Sequence, residues 1–569
     1  MKSLPLVSRV FAAALLFASL GRTAFATVGA TVPFTTYEGE AGTVDGGATV
    51  VSLTDAPTNN HSSPLLEASG RAYVQLAGTG QSVTWTNKST TAYTAMNVRI
   101  CIPDSPDGTG LDATLDLYVN GVFRQAVNLS SKQTWDYGNG KGSQNPADGG
   151  AYNFYEESHF FITGSPIAPG STFALKQDTA NTAAFYYVDC VDLETPPAPL
   201  PQPDNSLSIV DSGAVANNPS IDSTPAIQQC VMAAAAAGKS VWVPPGIFYM
   251  NSGAIHETNV TITGAGMWYS EVYHHIPTVD HGDSVFRGVG GTIQNLAVDG
   301  NASSRHVYDG GGLNMDGTNW VVNSVWVEHT SSGVWGKGTG GLVENSRFTH
   351  SWADGINLNQ GNTPTGVGVN LTAKNNFTRG CGDDGLAVNS QGPGAQLENI
   401  QFINNTSLVV LNGAHCLAAY GGDKLVLQDN LLCDPVKAPA LVISHFGAKG
   451  YQVSNAVVTG NVVVRGGACA KYNSGALVIN SSPSHLTIGS NTVDHSLFSG
   501  IEINGNVTDA TFTGNVVTSP GLTGILIDST SKGDATFDHN IVTGLNTGQE
   551  AFLNNSTNFV TTPQAPSSN

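Results

Sequence analysis

The stretch Gly385-Leu386-Ala387-Val388 decides the fold, because its pattern returns along the chain. A small residue followed by apolar–x–apolar recurs at Gly333-Val334-Trp335, Gly355-Ile356-Asn357-Leu358, Cys416-Leu417-Ala418-Ala419 and Ala440-Leu441-Val442-Ile443. It continues at Ala476-Leu477-Val478-Ile479, Gly500-Ile501-Glu502-Ile503 and Gly524-Ile525-Leu526-Ile527. The first apolar residues, Val334 to Ile525, are 22, 30, 31, 24, 36, 24 and 24 residues apart. A second series precedes β-rich runs: Asn376-Phe377, Asn405-Thr406, Asn430-Leu431, Asn461-Val462, Asn491-Thr492, Asn515-Val516 and Asn540-Ile541. Asn suits a stacked turn, because it tolerates left-handed backbone and bonds copies above and below. An interval of this size is one coil of a solenoid, and each coil buries its apolar face only by stacking. The predicted fold is all-β: an N-terminal β-sandwich followed by a right-handed parallel β-helix.

Working outward, Asp222-Ser223-Thr224-Pro225 and the Ala-rich run to Gly238 predict a helix capping the solenoid, with Asp222 or Ser223 at its start. Pro196 to Asp204 is proline-dense and reads as an extended linker. Ahead of it, short β-rich runs such as Ala113–Val119, closed by Asn120-Gly121, suggest the sandwich. Met1–Ala26 carries Lys2 and Arg9, an apolar run, and Ala24-Phe25-Ala26, which predicts a signal peptide and secretion. The predicted division is 1–26 signal peptide, 27–194 sandwich, 195–205 linker and 206–569 β-helix.

The 23 basic and 43 acidic residues give a net charge of -20, which disfavours a nucleic-acid partner. No later run is apolar enough to cross a membrane. The expected state is a monomer acting on a polysaccharide. Of seven cysteines, Cys101 and Cys190 lie on strand-like runs and are expected to bridge.

The residues before the repeat strands are Ser332, Asp354, Asp384, His415, Pro439, Gly475, Ser499 and Thr523. Asp354, Asp384 and His415 therefore share one column on three consecutive coils, roughly 4.8 Å apart. Stability alone does not favour stacked like charges. Asp383 precedes Asp384 and would point away in a regular strand; Gly382 and Gly385 would let the backbone bend to bring both into one cleft. An inverting glycosidase needs an acid and a base about 6.5–9.5 Å apart. Asp383 as acid, with Asp354 and Asp384 activating water, meets that need without a catalytic cofactor. The competing readings are simple Asp-Gly turns and a calcium site made by the same acids. Trp352, Asn357, Asn359, Gln360, Arg379, Asn389, His415 and Tyr420 are candidate sugar contacts by proximity.

At these residues the chain resembles glycoside hydrolase family 87, the α-1,3-glucanases and mycodextranases. The likeness rests on Ala353-Asp354-Gly355-Ile356-Asn357, Gly382-Asp383-Asp384-Gly385-Leu386-Ala387, Ala419-Tyr420-Gly421-Gly422 and Gly264-Ala265-Gly266-Met267-Trp268-Tyr269-Ser270. It implies endo-acting hydrolysis of α-1,3-glucosidic bonds with inversion, by Asp354, Asp383 and Asp384. His415 departs from that pattern and is similar to the polygalacturonases, whose β-helix also uses three Asp and a nearby His. The alternatives are thus a pectin hydrolase, or a polysaccharide lyase for which Arg379 and Lys424 are sparse support. A non-catalytic adhesin would not need the acids.

The N-terminal segment resembles family 35 carbohydrate-binding modules in Tyr37-Glu38-Gly39-Glu40-Ala41, Glu67-Ala68-Ser69-Gly70-Arg71-Ala72-Tyr73-Val74 and Val188-Asp189-Cys190-Val191-Asp192-Leu193. The resemblance implies a structural calcium held by Glu38, Glu40 and Asp192. Trp135, Tyr137, Tyr152 and Phe154-Tyr155 are candidates for a stacking surface or, equally, for core aromatics.

Overall fold

The computed structural model describes residues 28–54, 63–139, 143–153, 155–275, 285–303, 311–411, 414–447, 450–467, 473–562 and 567–568. The predicted signal peptide, Phe154, Asn412, Gly413 and Cys469 lie outside them.

The N-terminal strands form two antiparallel sheets around one apolar core that includes Val74, Met96, Val98, Leu115, Leu117 and Phe173. The prolines after Thr195 hold the chain extended to the solenoid, where Leu200 donates to the carbonyl of Ala265. The helix Thr224–Ala237 then closes the end of the solenoid. Asp222 accepts from the Thr224 amide at 2.9 Å, so the side-chain bond at its start comes from Asp222 rather than Ser223.

From Ser206 the chain winds a right-handed β-helix of about 11 turns. Its strands stack into three long parallel sheets. The repeat strands form the third sheet, in the register Val334↔Ile356↔Leu386↔Leu417↔Leu441↔Leu477↔Ile501↔Ile525. The runs after the Asn series form the second. Inward positions such as Ile356, Leu358, Leu386 and Val388 are fully buried in one continuous core.

The Asn series is a buried ladder. Each side-chain amide donates to the Asn Oδ1 of the next coil and to a backbone carbonyl, from Asn376 through Asn405, Asn430, Asn461, Asn491 and Asn515 to Asn540. The left-handed backbone falls one residue earlier than expected, on Asn375, Asn404, Asp429, Gly460, Ser490, Gly514 and His539. The ladder Asn is thereby free to turn its side chain inward.

The expected disulfide fails on packing, and the aromatics take the core alternative. Cys101 and Cys190 are both buried and do not bridge each other: on their paired strands Cys101 faces Tyr187 and Cys190 faces Arg99 across a bulge. That register points them to different neighbours: Cys101 packs with Ala68, Tyr73 and Tyr155, whereas Arg379 Nη1 lies 3.6 Å from the Cys190 sulfur. The expected stacking surface is also mostly interior. Tyr137, Tyr152 and Tyr155 are buried, and Trp135 is half-buried against Tyr137.

The sandwich docks on the second solenoid sheet through buried ion pairs. Arg379 binds Glu157 and Asp192, both at 2.6 Å, and Arg347 binds Glu194 at 2.7 Å. Asp434 takes Arg465 at 2.6 Å and the Gly70 amide at 3.2 Å.

Candidate active site

The acidic column forms at the turns that lead into the third sheet. The Gly355 amide donates to the Asp384 carbonyl at 3.0 Å, and the Gly385 amide to the His415 carbonyl at 2.9 Å. Coil-to-coil bonding thus fixes Asp354, Asp384 and His415 in register. Asp383 joins them from the neighbouring position, its amide held by the Ala353 carbonyl at 3.1 Å. One carboxylate oxygen from each of Asp354, Asp383 and Asp384 lies within 4.8 Å of the others, an arrangement that could also hold a hard cation.

The flanking glycines act by close approach. Gly382 and Gly385 keep φ outside the left-handed range. A Cβ on Gly382 would lie 2.2 Å from the Trp352 carbonyl oxygen, and one on Gly385 2.0 Å from the Ser407 hydroxyl. The expected backbone bend is therefore tight coil stacking, which leaves both Asp side chains at one rim.

Asp384 and Asp354 are buried, Asp383 half-buried. Asp384 Oδ1 accepts from the His415 amide at 2.8 Å and lies 3.0 Å from His415 Nδ1. The Tyr420 hydroxyl lies 3.0 Å from the same nitrogen. Asp354 Oδ2 accepts from Asn357 at 3.2 Å, and Asn357 Oδ1 from Asn359 at 3.2 Å. Burial, then the charges of Asp384, Asp383 and Asp354, hold the Tyr420 hydroxyl well above its ordinary pKa. Its proton is thereby held more tightly.

Asn389 is in register with Asn359 and Tyr420 on the outer face of the third sheet. Gln360 is 1% exposed, and among the described residues its side-chain oxygen and nitrogen have no hydrogen-bond partner, nor has Asn389 Oδ1. Polar atoms buried this way favour a ligand that can complete them.

Two expected contacts fall elsewhere. Trp352 is fully buried in a cluster with Leu66, Tyr152 and Leu411, and its indole donates to the Ala302 carbonyl. Arg379 is buried in its pairs with Glu157 and Asp192, on the sandwich side of the second sheet. Its strand position faces outward, but the docked sandwich covers it.

The expected calcium ligands do not assemble. Asp192 is committed to Arg379 and to the Thr36 hydroxyl at 2.6 Å. The acid beside Glu38 is instead Asp189, and the Ser69 hydroxyl bridges the two at 2.7 and 3.1 Å. Burial first, then the Asp189 charge, pushes Glu38 up to about 7; burial, then the Glu38 charge, pushes Glu40 up to about 9.

Two further surfaces escaped the sequence reading. The outer column of the third sheet runs His256↔Arg287↔Asn314↔Trp335↔Asn357, directly into the residue that bonds Asp354. Its members His256, Arg287, Asn314 and Trp335 line a groove of about 440 Å³ with Asp316 and Lys337. Beyond Tyr420, Phe446 is 51% exposed with its ring 5.7 Å away. Trp335 could have been found from the repeat, since it takes the place of Asn357 one coil earlier. Phe446 follows its strand without a motif.

A parallel β-helix with three carboxylates converging beside an outer-sheet groove is the scaffold of a glycoside hydrolase. Comparison with known families agrees. Residues 31–195 match the model described as alpha-1,3-glucanase catalytic domain D1, and residues 214–520 match catalytic domain D2. The second match alone covers more than half of the chain, which therefore belongs to the family of α-1,3-glucanase catalytic domains. The sandwich, expected as a separate binding module, thus matches the first part of a catalytic unit.

Among solved structures, the chain is similar to the Agl-KA catalytic domain, at 27% identity and TM-score 0.82, covering 95% of this chain and 100% of that one. It is also similar to the catalytic unit of the thermostable GH87 alpha-1,3-glucanase of Streptomyces thermodiastaticus strain HF3-3, at 28% identity and TM-score 0.77, covering 94% and 97%. A GH87 alpha-1,3-glucanase catalytic domain in complex with nigerose shares the fold at 23% identity and TM-score 0.78, covering 94% and 99%. Comparison with curated proteins gives no match.

Proposed function

We propose that this chain hydrolyses the α-1,3-glucosidic bonds of a glucan such as α-1,3-glucan or nigeran, after secretion. The carrying observation is the convergence of Asp354, Asp383 and Asp384 within 4.8 Å at the rim of the third sheet. Family membership supports the linkage, and so does the nigerose bound by a relative of the same fold.

In this reading Asp383, the more exposed acid, protonates the leaving oxygen. Asp354 and Asp384 orient the attacking water, Asp354 through Asn357 and Asp384 through His415. Trp335 and Phe446 offer faces on which sugar rings pack. The amides of Asn359, Gln360 and Asn389 take sugar hydroxyls. Inversion is the proposed outcome, although the nearest acid oxygens lie closer than the roughly 6.5–9.5 Å spacing expected of an inverting pair. Proton NMR of the first product decides this: the β-anomer appears first if inversion holds, and the α-anomer overturns it.

An acidic substrate has less support. Arg379, which favoured a lyase, is buried against Glu157, and Lys337 in the groove faces Asp316 at 3.4 Å. Reducing ends released from α-1,3-glucan or nigeran, but not from dextran or polygalacturonate, test the reading. Release from polygalacturonate alone overturns it, and an ultraviolet-absorbing unsaturated product indicates a lyase.

A further inference from the structure

Away from the catalytic column, the seam between sandwich and solenoid gathers a second group of chemically competent side chains. His329 and His350 each follow a strand of the second sheet, Trp326–Glu328 and Arg347–Thr349, whose register Glu328↔Thr349 makes them neighbours on successive coils. Both take left-handed backbone, φ 50 and 53. Their rings lie 5.0 Å apart. From the sandwich, Glu156 reaches across to place Oε1 3.0 Å from His329 Nε2. One ring nitrogen of each histidine and one Glu156 oxygen lie within 4.8 Å of one another, and all three residues are buried.

Each ring is also held from a second direction. His329 Nδ1 lies 3.0 Å from Asp299 Oδ2. His350 Nε2 lies 2.6 Å from the Gln133 carbonyl oxygen. A carboxylate or carbonyl on the far nitrogen is how metal-ligating imidazoles are oriented and made more basic. Glu156 Oε2 is buried with no hydrogen-bond partner among the described residues. A cleft of about 550 Å³, lined by Gln133, Glu156, Ser158 and His329, opens beside the group and admits water.

We propose that Glu156, His329 and His350 bind a zinc ion that ties the sandwich to the solenoid, with a water from the cleft as fourth ligand. Two imidazoles and one carboxylate suit Zn²⁺, whereas Ca²⁺ and Mg²⁺ want oxygen ligands alone. The surroundings favour added positive charge. Glu271 and Glu328 also face this group; burial, then the Asp299 charge, pushes Glu271 up to about 8, and burial drives Glu328 up further. His159, beside Glu328 at 3.8 Å, is held down to about 4 by burial. Nε2 of His329 faces Glu156 and Nδ1 faces Asp299, so zinc at Nε2 would take the place of a proton there.

The test uses the full-length, tag-free chain, stripped with EDTA and titrated with ZnCl₂ at pH 7.5. One zinc retained per chain after gel filtration is expected, with a raised unfolding temperature and a heat that depends on the buffer's ionisation enthalpy. Glu156→Gln and His350→Asn should each weaken binding by roughly tenfold or more. Asp354→Asn, in the other acidic cluster, should leave the stoichiometry unchanged. No zinc retained by the native chain overturns the proposal. So does retention unaffected by both seam substitutions, or retention lost in Asp354→Asn alone.

Discussion

Two faces of the solenoid bury carboxylates, and they treat them differently. On the second sheet, beneath the sandwich, Glu157, Asp192, Glu194 and Asp434 each meet a guanidinium at 2.6 or 2.7 Å. At the rim of the third sheet, Asp384 meets a backbone amide and an imidazole, and Asp354 an amide side chain. A guanidinium neutralises a carboxylate and fixes it; an amide or imidazole orients it and leaves its proton chemistry adjustable. The first face serves docking; the second is the one proposed to serve reaction. Burial and acidity alone do not tell the two apart; the guanidinium partners do, apart from Glu156 and Asp299, which meet the His329 imidazole at the seam.

The largest effects should come from the reactive face. Asp354→Asn or Asp384→Asn should lower turnover by about 10²–10⁴, read as reducing-end release, while the thermal unfolding midpoint holds or rises. A parallel loss of both would move these acids to the docking class.

On the docking face the loss should be in stability. Arg379→Met strands Glu157 and Asp192 without their guanidinium, which costs about 3–5 kcal/mol when one member of a buried pair is removed. Urea unfolding should show it, with turnover per folded molecule unchanged. Lost turnover in a fully folded variant would return Arg379 to the substrate.

Asn430→Ala belongs to neither face and calibrates the scaffold. It removes bonds to the Phe402 carbonyl and Asn461 and leaves the Asn405 amide without its acceptor. The cost should be about 1–3 kcal/mol.

The smallest effect concerns the acids of the sandwich. Burial and Glu38 raise Glu40 to about 9, above an unfolded value of about 4.3. The protonated group's contribution to stability is complete below about pH 4.3 and fades as pH rises towards 9. Glu40→Gln, with EDTA present, should therefore raise the unfolding temperature at pH 9 and leave it unchanged at pH 4. Equal shifts at both would rule out titration as the cause.

What repeats along the chain is legible in it. One small residue and alternating apolar positions per coil define the third sheet, and counting them placed Asp354, Asp384 and His415 in one column before any coordinate. The Asn ladder was legible for the same reason, with its left-handed turn misplaced by one residue. What was not legible was docking. Arg379 and Trp352 sit at positions that look outward in a single coil, and only the sandwich, some two hundred residues earlier in the chain, turns them into interior. Cys101 and Cys190 lie on paired strands, yet a bulge sets their register, and nothing local announces it. Asp192 and Asp189 alternate on one strand, so the choice of which acid approaches Glu38 depends on that same bulge. His329 and His350 lacked any motif, because Glu156 joins them across the seam.

The most direct test of the central claim is Asp383→Asn, assayed on α-1,3-glucan beside the native chain, with thermal unfolding followed in both. Loss of turnover by about 10² or more at an unchanged unfolding midpoint is predicted. Turnover within a few-fold of the native chain would contradict it.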